Sequence, residues 1–182
     1  MFKFEEKILL NQIRRGQQAA FSKLYDYYQD KIYRFIYFRV SDEGLAQDLT
    51  SETFMKALRY LVEGETVNNL RGFLYRIAKN LVIDFYRQRG QTELPIDDFI
   101  EDNLPAEKNL LQDVEERFNL EQIKDSLNKL SAPYREVIVL RFMEDLPFKE
   151  IANILEIKED NARMLAHRGL KILRKQIKNI FY

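Results

Sequence analysis

The chain has no cysteine, no tryptophan and a single histidine, and it is sparing with glycine and proline. Without thiols it can build neither a disulfide framework nor a thiolate metal site, which fits a reducing compartment. One histidine, His167, excludes histidine-rich metal centres and leaves little for acid–base chemistry. No run approaches 18 apolar residues, so no direct membrane insertion is expected. The first residues, MFKFEEKILLNQIRRG, carry acids inside their apolar run and lack a small-residue cleavage site, so an unprocessed, cytoplasmic protein is expected. Scarce glycine and proline also leave few breakers, and little period-two alternation supports a sheet. What is present is helical periodicity and many aromatics, 13 Phe and 10 Tyr, enough for a substantial core. The fold class predicted is all-α.

Four helices are predicted in the first half, over 5–15, 19–39, 45–61 and 69–89. Gly16 and Gly90 act as stops, and Ser41 or Asp42 caps the third. Residues 91–112 contain Pro95 and Pro105 with many acids and no sustained period, and read as a linker. A further helix is predicted over 114–130, another starts at Ala132-Pro133, and Pro147 ends it. The expected organisation is two small helical domains, 1–90 and 113–182, joined by an acidic tether at 91–112.

Net charge is zero, with 29 basic and 29 acidic residues, but its distribution is uneven. Residues 70–90 hold five basic side chains against one acid, and residues 91–125 hold eleven acids against three bases. From 161 to 182 there are six Lys and Arg and no acid. Two cationic blocks flanking an anionic one suit two nucleic-acid faces joined by a segment that avoids phosphates.

The second cationic block lies in a helix-turn-helix pattern. A short helix over 148–155, a three-residue break and a basic helix over 159–178 are predicted. The small Ala152 allows close crossing, and Ile151, Leu155, Ile157, Ala162 and Leu165 stand at the buried offsets. One position departs: the turn favours glycine, and Glu156 stands there, so some strain is expected. Projection at 100° per residue puts Ala162, Leu165, Ala166, Gly169 and Leu173 on the core side. The opposite arc holds Arg163, Met164, His167, Arg168, Lys171, Arg174 and Lys178, a field of one sign suited to phosphates and major-groove edges. A basic helix alone is equally a solvated C-terminal face. The preceding helix and turn are what present this one in a reading geometry.

On the fourth helix Leu74, Ile77, Ala78, Leu81 and Phe85 form an apolar stripe. Arg76, Asn80, Asp84 and Arg87 gather opposite it, near Phe73. An amide flanked by arginines and an aromatic suits an unstacked base, although a solvated polar face has the same composition. In LAQDLTSETFMKAL, Asp48 and Glu52 sit one turn apart, where like charges repel, so a basic partner surface would profit from them. Pairing of Glu52 with Lys56 is the simpler alternative. The two carboxylates could also hold magnesium in a helical enzyme, but no second acidic cluster or nucleophile–base pair accompanies them.

Together AFSKLYDYYQDKIYRFIYFRV, DLTSETFMKALR, LRGFLYRIAKNLVIDFYRQR and LSAPYREVIVLRFMEDLPFKEIANIL, followed by the basic helix, resemble the extracytoplasmic-function (group IV) sigma factors of bacterial RNA polymerase, over nearly the whole chain. The resemblance implies a non-enzymatic protein without cofactor that binds core RNA polymerase and promoter DNA. Asp48, Glu52 and Lys56 would dock on the polymerase clamp helices, and the second domain would contact the flap. Phe73, Arg76, Lys79, Asn80, Asp84 and Arg87 would open and read the minus-ten element as melted strand, with Asn80 helping to hold a flipped base. Asn161, Arg163, Met164, His167, Arg168 and Lys171 would read the minus-thirty-five element as duplex. An anti-sigma protein, often membrane-bound, would hold activity off. Three positions depart from the group's pattern: Phe73 stands where tryptophan is frequent, Met164 replaces a small polar residue, and Leu165 replaces an arginine. Leu165 projects into the core, so no DNA role is carried onto it. The rival without polymerase is a stand-alone dimeric helix-turn-helix regulator, which leaves the 70–90 block unexplained.

Overall fold

In the computed structural model, residues 3–90 and 125–178 are described, and they form helices and turns with no strand among them. The predicted linker 91–112 and most of the helix expected over 114–130 lie outside the described residues; residues 125–128 are helical. The chain divides into two compact units, 1–90 and 91–182.

The first unit contains α1 (Lys3–Arg14), α2 (Gln18–Val40), α3 (Glu43–Val62) and α4 (Leu70–Gln88). Between α1 and α2 the chain reverses at Gly16, whose φ of 74° lies in the left-handed region that glycine enters without a Cβ penalty. Asp42 and Ser41 divide the work at the next junction. The Ser41 N–H donates to Tyr37 O (2.8 Å) and closes α2, while Asp42 Oδ1 accepts from Leu45 N (2.8 Å) and opens α3. Asn69 caps α4 in the same way, its Oδ1 accepting from Gly72 N at 2.9 Å. α2 packs on both α3 and α4, α3 packs on α4, and α1 lies against α2 and α3. The core they share includes Leu24, Ile32, Phe35, Leu61, Leu74 and Tyr75, all fully buried, with Phe35 edge-on to Tyr75 at 5.2 Å.

The second unit contains α5 (Ala132–Ile138), which continues into a π-helical turn over Val139–Met143, then α6 (Phe148–Leu155) and α7 (Glu159–Lys178). The widened turn, with Glu144 N bonded to Val139 O, was not expected. A 3.6-residue apolar period does not distinguish i→i+4 from i→i+5 bonding over five residues. α7 packs on α5 and α6. Every residue assigned to its core side, Ala162, Leu165, Ala166, Gly169 and Leu173, is buried. Ile151, Ala152 and Leu155 of α6 are buried too, while Ile157 in the turn is half-buried.

Glu156 ends α6 with φ 60° and ψ 41°, the left-handed conformation for which glycine is ordinarily used. An L residue pays about 1–2 kcal/mol there, and glycine returns part of that as lost chain entropy. Glu156→Gly is therefore expected to stabilise the second unit by about 0.5–1 kcal/mol, read as a raised midpoint in thermal or urea unfolding. A lowered midpoint would show that the side chain's own contacts outweigh the strain.

Candidate nucleic-acid interface

Three helical faces carry the residues singled out in the sequence, those of α3 and α4 in the first unit and that of α7 in the second. On α4 the residues Phe73, Arg76, Asn80, Asp84 and Arg87 follow one another at spacings of three and four and so form one row. Arg76, Asn80, Asp84 and Arg87 are exposed and Phe73 is half-buried. Lys79 is a correction. It is 8% exposed and partnered, so it does not offer its ammonium on that row. The reason is packing. α4 is covered by both α2 and α3, which buries a second row, Tyr75, Lys79 and Val82, beside the expected stripe.

Phe73 is also not alone. Tyr60, on the last turn of α3, brings its ring to 4.8 Å from the Phe73 ring, tilted by 41°, and keeps 37% of its surface exposed. Just past the end of α4 the Arg89 guanidinium lies over the Phe85 ring at 4.3 Å, on the side of the apolar stripe and not on this row. The α4 face thus has aromatic surface at its start and exposed arginines and an amide beyond it, a combination that can stack bases and bond their edges. Tyr60 was missed from the sequence. Twelve residues and a chain reversal separate Tyr60 from Phe73, and no periodicity links them.

On α3, Asp48, Glu52 and Lys56 are exposed, and Leu49 and Phe54 are buried beneath them. Glu52 and Lys56 pair at 3.2 Å, both side chains about half exposed, where such a pair is worth well under 1 kcal/mol. So weak a pair is readily exchanged for another partner. Asp48 has no basic residue one turn further on, since Glu52 occupies that place.

On α7 the arc assigned to duplex is less open than its composition implied. Arg163 is exposed, but its guanidinium donates to Glu159 and lies 5.0 Å over the ring of Phe148, which Arg141 faces at 5.1 Å. Arg141 in turn donates to Leu146 O (3.1 Å), so the stack ties α7 to the entry of α6. Lys171 is exposed, whereas Asn161, Met164 and Arg168 are half-buried, Arg168 having contacts of its own. His167 is half-buried, with Nδ1 sealed from solvent and without a hydrogen-bond partner. Leu165 is fully buried, in agreement with its projection.

Among the described residues no group of three or more His, Asp and Glu is placed to hold a metal ion, and no helix is long and apolar enough to cross a membrane.

Both units match known families. The Sigma-70 region 2 family model matches residues 24–92, and the Sigma-70 region 4 model matches residues 120–173. The chain is 30% identical over 180 residues to the ECF RNA polymerase sigma factor SigW of Bacillus subtilis, covering 94% of this chain and 96% of that one. It is 32% identical over 169 residues to the ECF RNA polymerase sigma factor BldN of Streptomyces coelicolor, covering 91% of this chain but 63% of that longer protein. Among solved structures it is similar to the sigma factor RpoE of Bartonella quintana, crystallised with the anti-sigma factor NepR, at 25% identity and a TM-score of 0.67, covering 87% of this chain and 96% of that one. A stand-alone helix-turn-helix regulator accounts for the second match only. With a region 2 bundle and a region 4 helix-turn-helix in one chain, and relatives matched along almost its whole length, the chain belongs to the ECF sigma factors, which direct RNA polymerase to promoters.

Proposed function

We propose that the α4 and α7 faces divide promoter recognition between melted and paired DNA. The α4 row, Phe73, Arg76, Asn80, Asp84 and Arg87, takes the minus-ten element as single strand. The α7 arc, Asn161, Arg163, Met164, His167, Arg168 and Lys171, takes the minus-thirty-five element as duplex. The observation that carries this reading is the difference between the faces. Rings beside exposed polar groups suit unstacked bases, and a cationic second helix of a helix-turn-helix suits a major groove. The acidic face of α3, Asp48 and Glu52 with Lys56, docks on core polymerase, and the second unit adds its own contact there. Run-off transcription with purified core polymerase tests the whole: promoter-dependent product is expected, and none from any candidate promoter despite proven core binding would overturn it.

An anti-sigma protein is the regulatory partner this reading calls for, as the similar RpoE was captured with one. It would cover polymerase-facing surfaces such as the α3 face.

Asp48→Ala with Glu52→Ala is expected to weaken core binding by roughly tenfold, about 1.4 kcal/mol, without changing which promoters the residual holoenzyme chooses. Loss of the Glu52–Lys56 pair costs little stability, so unfolding midpoints should hardly move. Titration of labelled core polymerase reads the affinity directly, and an unchanged value would remove α3 from the docking surface.

A further inference from the structure

The connection between α3 and α4 is tied at two points to α1, a helix to which no role has so far been given. Leu70 opens α4, and the first amides of a helix lack intrahelical acceptors. The Asn69 side chain serves Gly72 N, and the Leu70 N–H donates instead to Glu6 Oε1 at 2.7 Å, across 64 residues of sequence. A carboxylate there also complements the positive end of the helix dipole. Arg14, at the other end of α1, donates from Nη2 to the backbone oxygen of Glu65 at 2.6 Å. Residues 65 and 70 are thus both held to α1, and the segment between α3 and α4 is spanned by the two bonds. Tyr60 and Phe73, whose rings meet at 4.8 Å, flank that same segment, one on the last turn of α3 and one on the first turn of α4. Movement of the segment would part the rings.

We propose that Glu6 and Arg14 are positioning residues for base capture: from α1 they fix the start of α4 and thereby the spacing of the Tyr60–Phe73 platform. This rests on the reading that α4 takes the melted strand. The test uses holoenzyme reconstituted with the full chain and, as probe, a short fluorescent single strand with the non-template minus-ten sequence of a promoter it transcribes. Glu6→Ala and Arg14→Ala are each expected to weaken strand binding by about fivefold, and Glu6→Gln, which keeps an acceptor oxygen, to restore it to about wild type. Core affinity, set by α3 in the same unit, should stay unchanged in all three. Unchanged strand binding in Glu6→Ala, or a matching loss of core affinity, would overturn the proposal. If Glu6→Ala fails to fold, Arg14→Ala, made at an exposed side chain, carries the same test. A strand that the wild-type holoenzyme does not bind would overturn the reading of α4, and the brace with it. Normal wild-type binding that the variants leave untouched would overturn the brace alone.

Discussion

Removing both rings of the α4 platform, Tyr60→Ala with Phe73→Ala, is expected to slow promoter opening by roughly ten- to a hundredfold, since a stacked base is worth about 1–3 kcal/mol. The two rings lie 4.8 Å apart, so either one alone leaves a partial platform, and the double change should exceed each single one. Part of the cost is structural. A tilted aromatic pair contributes about 0.5–1.5 kcal/mol to the fold, a fraction of the stability of an ordinary domain. Core binding, which we assign to the α3 residues Asp48 and Glu52, should therefore survive. Permanganate footprinting of thymines at fixed salt measures the opening, fixed because phosphate contacts make every such rate salt-dependent. A pre-melted template should lose less, since its bases are already unstacked. Normal opening by the double variant would mean that strand capture lies elsewhere on the unit.

Gly169→Leu should be as damaging to the second unit. Gly169 sits in mid-helix, where glycine costs about 1 kcal/mol relative to alanine, so its presence calls for a packing reason. The reason is the approach of α7 to α5. A Cβ at Gly169 would lie 2.6 Å from Ile138 Cδ1 and 3.2 Å from Tyr134 Cβ. The Ile138 methyl can swing aside; the Tyr134 Cβ is fixed to the backbone. Alanine is accordingly expected to come out near neutral, its helix propensity offsetting the squeeze. Leucine has to push the helices apart, at about 2–3 kcal/mol and roughly 10–20 °C in Tm for a unit this small. Duplex binding should fall with it, because the α7 face is aimed by that packing. Ile138→Ala combined with Gly169→Leu should recover part of the loss, and a double-mutant cycle gives the coupling. An unaltered Tm for Gly169→Leu would show that the helices yield more easily than their spacing implies.

Much of this was legible in the sequence. Four helices of the first unit and three of the second were read within a few residues of their observed ends, because caps and stops such as Asp42, Pro147 and Gly16 are local chemistry. The left-handed turn at Glu156 and the burial of Leu165 were equally accessible, one from a motif that needs glycine and the other from a projection. Asp48, Glu52 and Lys56 of α3 and Arg76, Asn80, Asp84 and Arg87 of α4 stood on exposed faces as periodicity required.

Other features depended on neighbours distant in sequence. A single apolar stripe describes a helix packed on one side. α4 is packed on two, so its buried arc widened to take in Tyr75, Val82 and Lys79, and a residue counted as a DNA contact was lost from the surface. Arg163 kept its exposure but acquired Phe148 of α6 as a companion, because α6 packs on α7. His167 has one nitrogen inside and without a partner, a state that helical phase alone does not specify.

The order of residues by itself determined which segments are helical, which side of each is apolar and where charge accumulates, since all three are set by interactions within one or two turns. Only the tertiary structure decided that Tyr60 stands beside Phe73, that Glu6 holds the first amide of α4, and that Lys79 is enclosed. Each of these is a meeting between side chains or amides far apart along the chain, fixed by how deeply one helix beds against two others, a quantity that no local pattern encodes.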